Sequence, residues 1–171
     1  MSGLPVAEIV ARSLDRSRPS SERRTYAQRL AGTRTPEALQ ALVEGFRLEE
    51  GVNRRVLAQL MGQTREPAFA EPLASLLETG NEVDASVAIR ALAAIGGDTN
   101  TRRLAGIMKD DGWPDALRTE AALEWLNTGN DEDALAAIRG LTEIGGDENT
   151  DKLAEVVTED GTVYCNAPSA L

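Results

Sequence analysis

The chain has 171 residues, 42% of them hydrophobic and 4% aromatic, and a formal net charge of −10. That length supports one substantial core, burying about 70% of the surface of the unfolded chain, and the apolar share excludes a largely disordered protein. Histidine is absent and Cys165 is the single cysteine, which removes Ser-His-Asp and Cys-His nucleophiles, histidine-held zinc and any intrachain disulfide.

The apolar residues are mainly Ala, Leu, Ile and Val, and the first two are strong helix formers. In chain order, Leu4, Ile9, Val10 and Leu14 predict a terminal helix. The stretch Met1–Ser13 lacks a basic start and is broken by Pro5 and Glu8, so a secretory leader is not expected. Ser20-Ser21-Glu22 predicts the capped start of a helix bearing Tyr26 and Leu30. Thr35-Pro36-Glu37 combines a cap, a proline at the first helical position and an acid in the first turn. It opens a stripe of Leu39, Leu42, Val43 and Phe46. Val52, Val56, Leu57, Leu60 and Met61 make another helix, and Glu66-Pro67 opens one with Phe69, Leu73, Leu76 and Leu77, bent by Pro72.

From Asn81 the chain repeats itself. A shift of 49 lays residues 130–161 on 81–112 with 17 of 32 positions identical, the signature of a duplicated structural unit. In the first copy Ala85, Ala88, Ile89, Leu92 and Ile95 fall at helical spacing on one stripe. Gly96-Gly97 ends that helix, Asp98 is expected to cap the next, and Leu104, Ile107 and Met108 mark the inner side of the second helix. The second copy repeats the plan with Ile138, Leu141 and Ile144, then Gly145-Gly146-Asp147, then Leu153, Val156 and Val157. Between the copies, Pro114, Leu117, Ala121, Trp125 and Leu126 predict one further helix.

The expected fold is therefore all-α, about ten short antiparallel helices with no strand. The segments 51–81 and 82–112 step by about 31 residues, against 49 between the copies. Either the second copy starts in the opposite layer of an alternating array, or the array breaks near Asn127-Thr128-Gly129-Asn130 and restarts in phase. The run Asp84–Asp98, its copy Asp133–Asp147, and the stretches Thr35–Leu42 and Pro72–Leu77 resemble HEAT repeats of the short bacterial, lyase-type kind. The resemblance implies a single right-handed α-α superhelix over residues 1–161, followed by a non-repeat tail over 162–171 in which Pro168 disfavours a helix.

Charge is unevenly spread. Residues 1–34 carry seven arginines against Glu8, Asp15 and Glu22, whereas residues 130–161 carry ten acids against Arg139 and Lys152. The acidic half should repel a phosphate backbone, so nucleic acid is not an expected partner. Asp147-x-Asn149-x-Asp151 begins like a calcium loop, but Lys152 replaces the required glycine and Thr158 the final glutamate. Asp110-Asp111 and Glu159-Asp160 fall at inter-helix loops, where solvated acids are expected rather than acid–base catalysts. No cofactor or metal is called for.

With no apolar run near the ~20 residues that span a bilayer, the sequence reads as a cytoplasmic protein, monomeric or weakly self-associating. The expected function is a non-enzymatic protein-interaction module. The HEAT-like resemblance leaves a bilin-lyase-type enzyme as one alternative, and the arginine-rich N-terminus leaves contact with an anionic surface as another. Second helices of stacked pairs line the binding side of such arrays. The candidate contacts are accordingly Arg102, Arg103, Lys109 and Trp113 in the first copy, with Asp151, Lys152 and Glu155 in the second. Arg90 and Arg139, at one place in both copies, are expected to pair with carboxylates of neighbouring repeats.

Overall fold

A computed structural model describes residues 4–79, 81–128 and 131–156, apart from the side chains of 128, 131, 132, 148, 152, 155 and 156, and all its regular structure is helical. The α-helices are α1 (Val6–Leu14), α2 (Ser20–Thr33), α3 (Pro36–Leu48), α4 (Gly51–Thr64), α5 (Ala70–Ala74), α6 (Glu82–Ile95), α7 (Asp98–Lys109), α8 (Asp115–Thr128), α9 (Asp131–Ile144) and α10 (Asp147–Val156). Helices of this length are marginal alone in water and depend on packing. The chain divides into two compact units, Met1–Ala91 and Leu92–Leu171. In the first, α1 packs on α2 and α3, α2 on α3 and α4, and α3 on α4. In the second, α7 packs on α8 and α9, α8 on α9, and α9 on α10.

The first core contains Leu30, Leu42, Phe46, Met61, Phe69, Leu73, Leu76 and Ile89, and the second Leu104, Met108, Leu117, Ala121, Trp125 and Leu141, all buried. Each large side chain among them contributes about 1.5–3 kcal/mol by leaving water. At Gly62 the helices α4 and α6 approach so closely that an added Cβ would sit 2.8 Å from Ala91 Cα.

Thr35 caps α3 as its sequence predicts, its hydroxyl accepting from the Ala38 amide at 3.3 Å. Ser20 and Ser21 do not cap α2; Pro19 holds the cap position and both serines lie inside the helix. The helix expected after Glu66-Pro67 is broken into a 3₁₀ turn at Pro67–Phe69, the short α5 and a second 3₁₀ turn at Leu77–Thr79, since Pro72 supplies no amide for a continuous ladder.

The double-glycine turns also differ from expectation. Gly97, not Asp98, takes the cap position of α7, and no side-chain cap bond forms there. The polar work falls to Asn100, buried in the first turn, whose amide donates to the Gly96 carbonyl at 2.8 Å. Asn149 does the same to Gly145 at 2.7 Å and reaches the Thr119 hydroxyl at 3.1 Å. Gly96, Gly97, Gly145 and Gly146 all have positive φ, the region glycine enters without steric cost.

That backbone signature also resolves the repeat length. Arg34 (φ 53°), Arg65 (φ 57°) and Gly96 (φ 71°) end α2, α4 and α6 in the left-handed region, at intervals of 31 residues. Alternate helices thus end alike. The copy of α6 is α9, an odd-numbered helix, because α8 intervenes. Within the second unit α8 packs on α7 and α9, and α9 touches α7.

Two stability results follow from these turns and contacts. Gly62→Ala should cost about 1–3 kcal/mol by overpacking, while Gly32→Ala, whose added Cβ meets nothing within 4 Å, should gain about 0.5–1 kcal/mol through helix propensity. Urea melts of the two variants separate these outcomes, and equal midpoints would contradict the close α4–α6 approach. Arg34→Gly and Arg65→Gly should each stabilise by about 0.5–1 kcal/mol by relieving the left-handed strain, seen calorimetrically as a rise of about 1–4 °C in Tm.

Candidate functional site

Of the residues expected to meet a partner, Arg102 and Lys109 are exposed on α7 and stand seven positions apart, so they share one side of the helix about 10 Å apart along its axis. Arg102 Nε donates to the Asp98 carbonyl at 3.2 Å, which leaves the rest of its guanidinium at the surface. The Lys109 ammonium lies 5.9 Å from the ring centre of Trp125, at the outer limit of a cation–π contact. Trp125 itself is buried core, whereas Trp113 is half-buried in the loop after α7.

Arg103 separates from this group. It is half-buried and donates to Asn100 Oδ1 at 3.2 Å, so it braces the residue that organises the turn. On α10, Asp151 is exposed; the side chains of Lys152 and Glu155 lie outside the described residues, as do Cys165 and the 162–171 tail. Arg102 and Asp151 occupy the same place in the two copies, both exposed, with opposite charge.

The acidic pair after α7 is structural. Asp110 Oδ1 accepts from the Gly112 amide at 2.9 Å, and the well-exposed Asp111 meets Arg118 at 2.9 Å. Arg118 also donates to the Met108 carbonyl at 3.0 Å, satisfying one of the carbonyls a helix end leaves unpaired. Arg90 and Arg139 are exposed. In the first unit an ion pair joins Arg55 of α4 to Asp84 of α6 at 2.9 Å. Its N–H is not aligned with the oxygen, so the contact is Coulombic rather than a directed hydrogen bond.

Sequence spacing gave no hint of a cleft in the first unit, whose floor is apolar, with Ala27, Ala41, Leu42 and Leu57, and whose rim carries polar groups. It is lined by Ser13 of α1, by Ser20, Arg23 and Arg24 of α2, by Gly45 of α3, by Glu49, and by Asn53 of α4. Arg23 Nε donates to Glu49 Oε1 at 2.8 Å, its Nη2 meets the same oxygen, and its Nη1 donates to the Arg18 carbonyl at 2.6 Å. Arg24 Nη2 donates to Asn53 Oδ1 at 3.3 Å. Nearby, the turn from α1 to α2 is closed by Asp15, whose carboxyl is held below its usual range chiefly by the Ser17 hydroxyl and then the Ser17 amide. These partners lie 26 and 29 residues apart, nearly one repeat. Adjacent arginines in a helix were the sole visible signal, and they equally describe a solvated face.

No family model matches the chain, and no curated protein matches it in sequence. No helix among the described residues is long and apolar enough to cross a membrane.

The Arg23–Glu49 pair, with side chains 14% and 16% exposed, is sheltered enough to matter. Glu49→Gln should destabilise the protein by about 1–3 kcal/mol by leaving the guanidinium without its counter-charge. Asp111→Asn, at a carboxylate 90% exposed, should change stability by less than about 0.5 kcal/mol. Parallel denaturant titrations of both variants test the contrast, and a larger effect at Asp111 would refute it.

Proposed function

We propose that the chain is a non-enzymatic protein-interaction module of the HEAT-like kind, offering a stacked helical surface to another protein. The observation that carries this reading is the fate of the duplicated unit. The two copies share their glycine turns, their buried asparagines and their apolar stripes, yet place Arg102 in one and Asp151 in the other at the same exposed position. A common frame with divergent outward charge suits surfaces fitted to different contacts. The exposed pair Arg102 and Lys109, beside the half-buried Trp113, makes α7 the favoured face, because arginine and tryptophan are enriched where binding energy concentrates.

The test is a double charge reversal, Arg102→Glu with Lys109→Glu, compared with the parent in affinity capture from the source organism. Arg103 is left intact because it holds Asn100. The expected result is loss of specific captured proteins with an unchanged helical circular-dichroism signal. Identical capture by both proteins would exclude the α7 face.

A further inference from the structure

Each unit has an end helix whose apolar residues are incompletely covered. In the first, six of the nine residues of α1 are apolar, yet Ile9 is the only one of the six that is buried. Val6, Val10 and Leu14 are half-buried, and Ala7 and Ala11, on the side opposite Ile9 and Ser13, are exposed. A helix that is apolar around most of its circumference is normally covered.

In the second unit the duplication supplies an internal comparison. Ile89 and Leu104 are 0% and 1% exposed, whereas their copies Ile138 and Leu153 are half-buried. Ala105 is half-buried and its copy Ala154 exposed, while the half-buried Ser86 is replaced by Leu135, 51% exposed. Leu135 and Ile138 share one side of α9, as Leu153 and Ala154 share one side of α10. The same apolar pattern that is covered in the first copy is therefore open in the second.

Charge selects the cover. Glu143, Asp147 and Asp151 are exposed at this end and form no ion pair among the described residues, and residues 130–161 hold ten acids against Arg139 and Lys152. Two such ends repel one another. Residues 157–171 carry Glu159 and Asp160 and no cation, so the chain's own tail has the wrong sign as well. The complementary charge lies in residues 1–34, with seven arginines against three acids. Arg16, Arg29 and Arg34 are exposed there and also form no ion pair among the described residues. Charges more than about 8 Å away are screened at physiological ionic strength, so these local charges, rather than the net −10, govern the approach of the two ends.

We propose that the α9–α10 end of one molecule docks the α1–α2 end of a second copy. Leu135, Ile138 and Leu153 cover the open side of α1, and the arginines of one molecule stand against the acids of the other. The contact is head-to-tail, so each molecule keeps one free end of each kind. It is independent of the α7 face.

The test follows the mass of the full chain by sedimentation equilibrium from about 10 μM to about 1 mM, the range of weak association. Mass should rise above that of the monomer with concentration, and association should weaken several-fold between about 50 mM and about 500 mM sodium chloride. Arg16→Glu with Arg29→Glu damages only the α1–α2 end, and Glu143→Lys with Asp151→Lys only the α9–α10 end. Each double variant alone should associate about tenfold more weakly than the parent, with an unchanged helical circular-dichroism signal. Mixed in equal amounts, they should form a one-to-one complex with the parent's affinity that grows no further, because each supplies the end the other lacks. Leu135→Ser, at an exposed position, should weaken association without lowering Tm. A parent that stays monomeric throughout, or folded variants that do not combine, would overturn the proposal. So would one double variant that self-associates like the parent, since that marks a symmetric contact through its undamaged end.

Discussion

Helices of nine to fourteen residues must be turned sharply and returned against their neighbours, or their apolar faces stay in water. After α2, α4, α6 and α9 the turning is done by residues in the left-handed region, whereas α1, α3 and α7 end in extended caps. Arg34, Arg65, Gly96 and Gly145 each donate a backbone N–H to a carbonyl of the turn they close, for example Arg34 to Leu30 and Gly96 to Leu92. Such a terminator satisfies part of the helix end and reverses the chain within two or three residues. Where glycine holds the position the conformation is free of Cβ strain. At Arg34 and Arg65 it is not, and the packing that follows the turn must offset about 1–2 kcal/mol.

Once the helices are returned, arginine side chains join them. Arg23 reaches Glu49 beyond the end of α3, Arg24 reaches Asn53 of α4, Arg55 reaches Asp84 of α6, and Arg118 of α8 reaches the loop after α7. Guanidinium groups suit this task because five fixed donors can serve an acid and a carbonyl at once, as Arg118 does with Asp111, Asp115 and the Met108 carbonyl. Their worth follows burial. Arg23–Glu49 is sheltered, whereas the Asp111 end of the Arg118 cluster faces solvent, where ion pairs contribute little.

Helical class, helix number and most apolar stripes were legible because they rest on spacing within a dozen residues. Thr35-Pro36 was legible for the same reason. What failed was local competition among several polar candidates. Asp98 looked like the cap, but with Gly97 at the cap position the buried Asn100, three residues after it, donates to the Gly96 carbonyl. Pro72 was read as a bend and acts as a break. The cleft was invisible because it joins residues of four helices whose spacing in sequence carries no pattern. The 31-residue step was legible, but the left-handed ends of α2 and α4 were not, because Arg34 and Arg65 are residues whose type gives no warning of that conformation.

The duplication ends up illustrating how position rewrites a copied helix. In α6, Val87, Ala91 and Ala93 are buried beside the shared stripe, giving a broad apolar face. Their counterparts in α9 are Ala136, Gly140 and Thr142, of which Ala136 is half-buried and Thr142 exposed. Gly140 remains buried because Met108 of α7 fills its place, the sulfur lying 2.1 Å from where a Cβ would stand. An alanine copied unchanged from position 91 would have collided with that side chain. The residues that stayed identical, Ala85, Ala88, Ile89 and Leu92 with their copies, lie along the stripe common to both settings. The residues that changed include three whose surroundings differ between an even-numbered and an odd-numbered helix. Divergence between the copies therefore has a packing component as well as a surface one, which includes Arg102 against Asp151 and Ser86 against the exposed Leu135.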